Sequence, residues 1–222
     1  MARVKSAEQP RKTPVQARSI ETVEVLFDAC IQVLLQLGVE GLTTTRVAER
    51  AGVSVGTLYQ YFPNKQALLL AVLDRHLSHV AAAVDAACQT AKGATLAVMA
   101  RSVIDAFIDA KMERPEVSLA LYPVCQDASG AAIVMRVMQQ SQLAVCDLLA
   151  TAPAATFADL RMVSFVVSTA PMAPVQATLA AGATPALVEG VRAQLNAMMI
   201  AYLERVASPA RARSTPRSAA AA

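Results

Sequence analysis

Tryptophan is absent from this chain of 222 residues, and histidine, glycine and aromatic residues are all scarce. Two histidines are too few for most acid–base catalytic sites. The sequence also contains no GxSxG nucleophile elbow, no HExxH zinc motif and no glycine-rich phosphate loop. We therefore expect a protein that is not an enzyme, with no catalytic residues, no metal site and no cofactor.

Net charge is small, at +3 from 20 Lys and Arg against 17 Asp and Glu, so the chain is not a general polycation. The basic residues nevertheless cluster near the N-terminus, at Arg3, Lys5, Arg11, Lys12 and Arg18. Such a segment suits contact with phosphates or with the minor groove of DNA. It equally suits a solvated, unstructured tail, and the sequence leaves both readings open.

The four cysteines are widely spaced and form no CxxC pair, and the polar, basic N-terminus has no apolar core of the kind that signal peptides carry. We expect free thiols in a reducing cytoplasm. The uncharged stretch Met162–Val188 is long enough to cross a bilayer. Because prolines and polar residues interrupt it, we expect it to pack against protein, and we expect no membrane partner.

Alanine and leucine dominate long segments in which apolar residues recur at steps of three and four, which favours helices. We predict an all-α fold of about nine helices. A basic, unstructured arm is expected at 1–14 and a helix-turn-helix head at 15–65. A connecting helix should lead from the head into a helical domain at 66–206, before an unstructured tail at 207–222.

Glycine and proline set the expected helix boundaries. The first helix is predicted to run over 15–37 and to end at Gly38 in a left-handed cap. A later helix is predicted over 156–181, with a bend at Pro171 and Pro174.

The stretch Thr43–Leu69 reads TTTRVAERAGVSVGTLYQYFPNKQALL and predicts two short helices joined by a tight turn at Gly52. Ser54 is expected to cap the second of these helices. Pro63 should end it, because the residue before a proline is pushed out of helical geometry. Asn64 then caps the next helix.

This pattern fits a helix into the major groove of DNA, with phosphate contacts setting the register and base contacts setting the specificity. Gln60 could bond an adenine edge, Val55 could touch a thymine methyl group, and Gly56 leaves room for close approach. The backbone of the DNA is expected to meet five side chains: Thr44, Thr57, Tyr59, Tyr61 and Lys65. The residues alone also allow an ordinary helical hairpin whose tyrosines pack in a core.

Thr43–Leu69 resembles the DNA-binding signature of the tetracycline-repressor (TetR) family of transcriptional regulators. The resemblance extends upstream through Leu26, Phe27 and Gly38 and covers about 19–70. It implies a three-helix DNA-binding head, a connecting helix and a variable helical C-terminal domain in a homodimer that a small ligand releases from its operator. It also implies backbone contacts for the five residues above, and positions near base edges for Thr45, Val55, Gly56 and Gln60.

The second predicted helix carries two arginines. Arg46, near its start, could contact DNA or pair with Glu49, and we include it among the DNA-binding residues. Arg50, near its end, is expected to be solvated.

The C-terminal helices predict a dimer and a ligand pocket. A seam for helix packing has steps of three and four residues, at Val188, Val191, Leu195, Met198 and Tyr202. We expect it to form the dimer interface, with burial inside one subunit as the alternative. Adaptable apolar side chains are expected to line the pocket, although each could be plain core: Met99, Phe107, Met112, Tyr122, Cys125, Met135, Met138 and Phe165.

The sequence therefore predicts a ligand-responsive, sequence-specific regulator, most simply a repressor released from a palindromic DNA operator by a small, largely apolar effector. An activator with the same head is an alternative, because the sign of regulation depends on where the operator lies. A redox-responsive regulator using Cys125 and a metal-responsive one using the pair His76 and His79 are further alternatives.

Overall fold

A computed structural model describes residues 17–209, with side chains from residue 19. The predicted basic arm at 1–14 and the predicted tail beyond Pro209 lie outside the described residues. The described helices, in chain order, are α1 Ala17–Gly41, α2 Thr44–Ala51, α3 Val55–Tyr61, α4 Lys65–Thr90, α5 Leu96–Met112, α6 Pro115–Ala120, a 3-10 helix Tyr122–Gln126, α7 Ala128–Leu149, α8 Leu160–Thr169, α9 Met172–Ala180 and α10 Pro185–Val206.

The predicted all-α fold is confirmed, and strands occupy only two short segments of the described chain. These are β1 (Ala155–Phe157) and β2 (Ala207–Pro209), which pair antiparallel. β2 corrects the prediction that the unstructured tail begins at residue 207. The pairing joins segments about fifty residues apart, so no local sequence pattern predicts it.

The helix predicted over 156–181 is two helices, which is one reason the described count exceeds nine. α8 ends at Thr169, and α9 begins at Met172 after Pro171. Pro174 is the third residue of α9, where its missing N–H leaves no helical hydrogen bond unmade. The predicted single helix with a bend is therefore two helices, and Pro171 lies at the junction between them.

Three side-chain caps fix the helices of the head, and each satisfies a backbone N–H that has no partner inside its helix. The acceptors are Thr43 Oγ1 from Arg46 N at 3.3 Å, Ser54 Oγ from Thr57 N at 3.0 Å and Asn64 Oδ1 from Ala67 N at 2.8 Å. Gly52 turns the chain between α2 and α3 with φ 66° and ψ 27°, the left-handed conformation that the turn needs. Gly38 also has positive φ, at 68°, where α1 is kinked.

Two hydrophobic cores share α4 and are also connected by a short segment between α5 and α7. The head core packs α1, α2 and α3 against the first turns of α4, around side chains such as Leu26, Leu58 and Phe62. The second core lies among α4, α5 and α7 to α10. α6 and the 3-10 helix, Pro115–Gln126, form what we call the bridging segment, which places Val117, Leu121 and Val124 in the head core.

Three helical stretches are long and apolar enough, by length and composition alone, to cross a membrane: Ser19–Gly41, Lys65–Thr90 and Leu160–Ala180. The first contributes side chains to the head core, the second to both cores and the third to the second core. The third overlaps the uncharged stretch noted in the sequence, and it places Val163, Val167 and Leu179 in the second core.

Candidate DNA-binding face and effector cavity

One side of α2 and α3 presents polar groups to solvent. The exposed members of the predicted DNA-binding set are Thr45, Arg46, Gly56, Tyr59 and Gln60. The Tyr59 hydroxyl lies 3.1 Å from Thr44 Oγ1, so two groups that can donate to phosphate stand side by side. The arrangement therefore places residues predicted to read bases and residues predicted to bind phosphate on one surface.

Among the described residues, no neighbouring atom requires a glycine at position 56. A Cβ placed there would meet only Ser54 Oγ, at an ordinary contact distance of 3.6 Å. Glycine costs a helix about 0.5–1 kcal/mol relative to alanine. Open space above the backbone at the exposed N-terminus of α3 is what close approach of a DNA strand requires.

Two cations tie the ends of this surface to α1. The Lys65 ammonium donates to the carbonyl oxygen of Val39 at 3.1 Å, and the Arg46 guanidinium donates to that of Gly41 at 2.5 Å. Both acceptors follow the kink at Gly38. The N-terminus of α4, the start of α2 and the end of α1 are therefore held together beside the exposed face of α3.

The remaining predicted DNA contacts are less exposed. Tyr61 is only 8% exposed in the head core, with its ring centre 6.5 Å from that of Phe62. Val55 is half-buried against the same core, and the Thr57 hydroxyl lies 2.8 Å from Ser54 Oγ. Contact with DNA stays a prediction for these three residues, as it does for the exposed members of the set.

A cavity of about 340 Å³ lies between α4, α5, the bridging segment, α7 and the junction of α8 with α9. Five predicted pocket residues line it: Phe107, Tyr122, Cys125, Met135 and Met138. The structure corrects the other three. Met99 is fully buried in the second core, Met112 packs half-buried against that core, and Phe165 is 47% exposed. Helical spacing identified apolar positions but not which of them faces the space between the helices.

The sequence analysis missed several polar residues of the cavity wall, above all His76, Lys111, Ser118 and Ser168. Lys111 follows Phe107 by four positions, which placed both on one face of α5. Lysine is almost never fully buried, so its residue type alone predicts exposure to solvent. The Ser168 hydroxyl is buried and has no hydrogen-bond partner among the described residues.

His76 is held as a neutral imidazole. Its Nε2 lies 3.1 Å from Ser118 Oγ, and that hydroxyl donates to the carbonyl oxygen of Lys111 at 3.0 Å. The His76 nitrogen is therefore the donor in the first contact. Burial, followed by the charge of Lys111, lowers the pKa of His76 to about 4.

The two predicted sensing alternatives receive no support from these contacts. His79 pairs with Glu113 at 2.6 Å on the surface, away from the bond between His76 and Ser118. No group of three or more His, Cys, Asp or Glu in the described part of the chain could hold a metal ion. Burial raises the pKa of Cys125, although Lys111 opposes the effect, so its reactive thiolate form is disfavoured.

Lys111 is the one cation among the described residues that line the cavity, since His76 is neutral. It is 7% exposed, and its Nζ lies 5.5 Å from the centre of the Tyr122 ring. Burial lowers the pKa of its ammonium group. No Asp or Glu occurs among the lining residues.

The predicted dimer seam faces the protein's own second core. Leu195 is 4% exposed, and Val188, Val191 and Tyr202 pack half-buried against that core. Met198 alone of the five is exposed, at 48%. This burial supports the alternative in which the seam packs inside one subunit, because a stripe of apolar residues marks one face of a helix without saying what covers it.

The bridging segment connects the cavity with the head. Leu121 belongs to the head core and also lines the cavity, while Tyr122 and Cys125 line it from the same segment. Just after the segment, Asp127 caps α7 and accepts a hydrogen bond from Gln66, which lies next to Lys65. A change in the cavity can therefore reach the N-terminus of α4 through packed atoms.

Two family models match the chain. "Bacterial regulatory proteins, tetR family" matches residues 26–72, and "Tetracyclin repressor-like, C-terminal domain" matches residues 95–203. Together they account for more than half of the chain.

Two curated relatives match about a quarter of the chain. The repressor KstR of Mycolicibacterium smegmatis is 42% identical over 62 residues, which are 28% of this chain and 30% of that protein. The tetracycline repressor protein class C of Escherichia coli is 44% identical over 55 residues, a quarter of each chain. The chain thus spans less than a third of the length of these relatives.

Solved structures match the whole fold. A TetR-family regulator from Mesorhizobium loti has a TM-score of 0.71 at 15% identity, covering 87% of this chain and all of that one. FadR of Bacillus subtilis, in complex with stearoyl-CoA, has a TM-score of 0.65 at 14% identity, covering 80% and 97%. Identities this low show the fold alone. Family models across both halves, the partial matches to curated relatives and the shared fold agree, and the chain belongs to the TetR family of helix-turn-helix transcriptional regulators.

Proposed function

We propose that the protein is a cytoplasmic repressor that a small effector releases from a palindromic DNA operator. The observation that carries this proposal is the bridging segment, because its side chains line the cavity and also pack in the head core. An occupant of the cavity must contact the segment on which the head rests. The family is one of regulators that are generally not enzymes, and the KstR and tetracycline relatives are named as repressors.

The proposed mechanism is a displacement of the bridging segment. Effector entering the cavity pushes on Leu121 and Tyr122, and the movement passes to α4 through the head core and the contact between Asp127 and Gln66. α4 begins at Lys65, beside the DNA-binding face. A shift there changes the separation of the two heads in a dimer, whose recognition helices must stand about 34–36 Å apart to read successive major grooves.

For the dimer we propose the outward faces of α8 and α10 in place of the predicted seam. Their large exposed apolar residues are Met162, Phe165, Leu187 and Met198. Large exposed apolar residues on the surface of a domain are typical of an interaction surface. A two-fold interface of this kind gives a palindromic operator its symmetry.

Deleting the gene distinguishes a repressor from an activator. Operators are first identified by recovering genomic DNA fragments that the purified protein retains, and each is then placed before a reporter gene. Reporter output should rise in the deletion strain and return to its lower value when the gene is restored. A fall in output on deletion would show an activator and overturn the repressor proposal.

Two substitutions on α3 test the DNA-binding face. Tyr59→Ala should weaken binding about tenfold or more on every operator sequence, because a hydrogen bond to a charged phosphate is lost. Gln60→Ala should instead relax the preference at one base pair, worth about 1–3 kcal/mol of discrimination. Mobility-shift titrations against a set of single-base operator variants separate the two effects.

Gln89→Ala is the matched control, since Gln89 is an exposed glutamine at the far end of α4. It should leave both affinity and base preference unchanged. If Tyr59→Ala and Gln60→Ala bind every operator variant as the control does, then the face assigned to DNA is wrong.

A further inference from the structure

We infer that the effector is an organic anion, a carboxylate on an apolar body, whose charged group pairs with Lys111. This inference rests on the proposed function, and it adds a charged group to the small, largely apolar effector that the sequence predicts. It names the class of ligand that the cavity is built to hold.

The buried cation Lys111 has no counter-ion among the described residues. Lys111 is more than nine-tenths buried in the cavity wall, and no ion pair joins it to any carboxylate of the described residues. The two acidic residues nearest along the chain have other partners, since Asp109 pairs with Arg192 at 2.6 Å and Glu113 pairs with His79 at 2.6 Å. A charge removed from water is stabilised by an opposite charge, so the cavity lacks a partner that a ligand can bring.

The charged groups of the described cavity lining are positive only. Lys111 is accompanied by hydroxyl, amide and thiol groups and by the neutral His76, while Asp and Glu are absent from the described lining. A cationic ligand would meet Lys111 with no carboxylate to offset the repulsion. An anion meets one ammonium group and no like charge, which is the arrangement that gives electrostatic complementarity.

Hydrogen-bond donors add to this preference. The Ser118 hydroxyl proton is already given to the Lys111 carbonyl, but the Ser168 hydroxyl has no partner among the described residues and is free to donate. The ring of Tyr122 lies beside the ammonium group at 5.5 Å, which restricts where Nζ points. The Ser168 hydroxyl is therefore a neutral donor in the cavity wall that an acceptor oxygen of the ligand can use.

The rest of the cavity lining suits an apolar body on the ligand. Most of the remaining lining is aliphatic or aromatic, including Leu77, Val80, Val84, Phe107 and Met138. The volume of about 340 Å³ is roughly eleven times the ~30 Å³ that a water molecule occupies in the liquid. This allows a body of about a dozen non-hydrogen atoms, the size of a medium-chain or phenyl-substituted acid.

Binding of matched acids and alcohols tests the inference. The probes are decanoate against decan-1-ol and 4-phenylbutanoate against 4-phenylbutan-1-ol, titrated calorimetrically into the full chain at pH 7 without DNA. At least one acid should bind about ten- to one-hundred-fold more tightly than its alcohol. Lys111→Met should remove that preference, whereas Lys111→Arg, which keeps the charge, should retain most of it.

Lys92→Met is the control for the loss of one positive charge, because Lys92 is exposed and lies outside the cavity lining. It should bind the acids as the unaltered protein does. Thermal melting checks that Lys111→Met folds, and its melting temperature should be unchanged or higher, since a buried charge has been removed. The inference is overturned if both alcohols bind as well as their acids, if none of the four probes binds, or if Lys111→Met keeps the preference.

The same acids, added to the protein bound to its operator, separate this inference from the proposed function. Release of operator by an acid that binds through Lys111 supports both. Tight binding through Lys111 without any change in operator affinity supports the anion site and contradicts the proposed release mechanism.

Discussion

Replacing Phe62 by alanine is expected to lower the free energy of unfolding by about 3–5 kcal/mol and to abolish operator binding. Phe62 is 2% exposed and lies where α3 ends, with its ring centre 5.7 Å from that of Phe27 on α1. Removing the ring leaves a cavity between α1 and α3, and α3 then loses the fixed angle at which it meets DNA. Single domains are stable by only about 5–15 kcal/mol in total, so a large part of the head's stability depends on this side chain.

Urea unfolding followed by circular dichroism measures the change, since the chain has no tryptophan to report by fluorescence. Phe62→Leu should recover most of the loss, because a large apolar side chain still fills the space. Val25→Ala is the control, as Val25 lies on the same helix as Phe27 and is 41% exposed. A Phe62→Ala protein with the unfolding free energy and operator affinity of the Val25→Ala control would show that the head does not depend on this contact.

Features of the head could be predicted from sequence because they are local. The caps at Thr43, Ser54 and Asn64 depend on an oxygen three residues before an N–H, and the turn at Gly52 depends on one left-handed residue. Such preferences act within one turn of chain and leave a mark in the order of residues. The end of α3 before Pro63 is of the same kind.

The cavity could be predicted only in part, because it is a property of several helices together. Met99, Phe107 and Met112 all lie on α5, yet only Phe107 reaches the space beside α4. Rotation of a helix by part of a turn decides between core and cavity, and that rotation is set by partners distant in sequence. Lys111 could not be predicted for a related reason. A lysine in a sequence predicts an exposed side chain, and only the packing of the surrounding helices shows that this one is buried.

The dimer seam shows the same limit in another form. Val188, Val191 and Leu195 do share one face of α10, as their spacing predicts. That face packs on the subunit's own core, because α5 and α9 are available to cover it. Periodicity therefore identified the face but could not decide between a second subunit and the subunit's own core as its partner.

Replacing Gly130 by alanine is expected to displace the bridging segment and to weaken operator binding about tenfold in the absence of effector. A Cβ at this position would lie 1.9 Å from the carbonyl oxygen of Val124 and 3.1 Å from Cys125 Cα. These are backbone atoms, so no side-chain rotation relieves the contact, and the segment must move away from α7. Forcing an extra methyl group into a packed site costs about 1–3 kcal/mol.

The direction of the effect follows from the place of Val124, which is buried in the head core. A segment pushed by Gly130→Ala moves as the proposed effector would move it, so the variant should resemble the released state. Operator affinity, measured by titration without effector, should fall, and a ligand that releases the unaltered protein should have little further effect on the variant.

Ala132→Gly separates displacement from simple loss of stability. Ala132 is an exposed residue two positions further along α7, and glycine there should cost about 1 kcal/mol through helix propensity without any clash. The two variants are compared at similar unfolding free energy. Because only Gly130→Ala moves the bridging segment, only that variant should lose operator affinity and ligand response. An equal loss in both variants would show that destabilisation alone weakens DNA binding, and it would contradict a mechanism in which the bridging segment carries the signal from the cavity to the head.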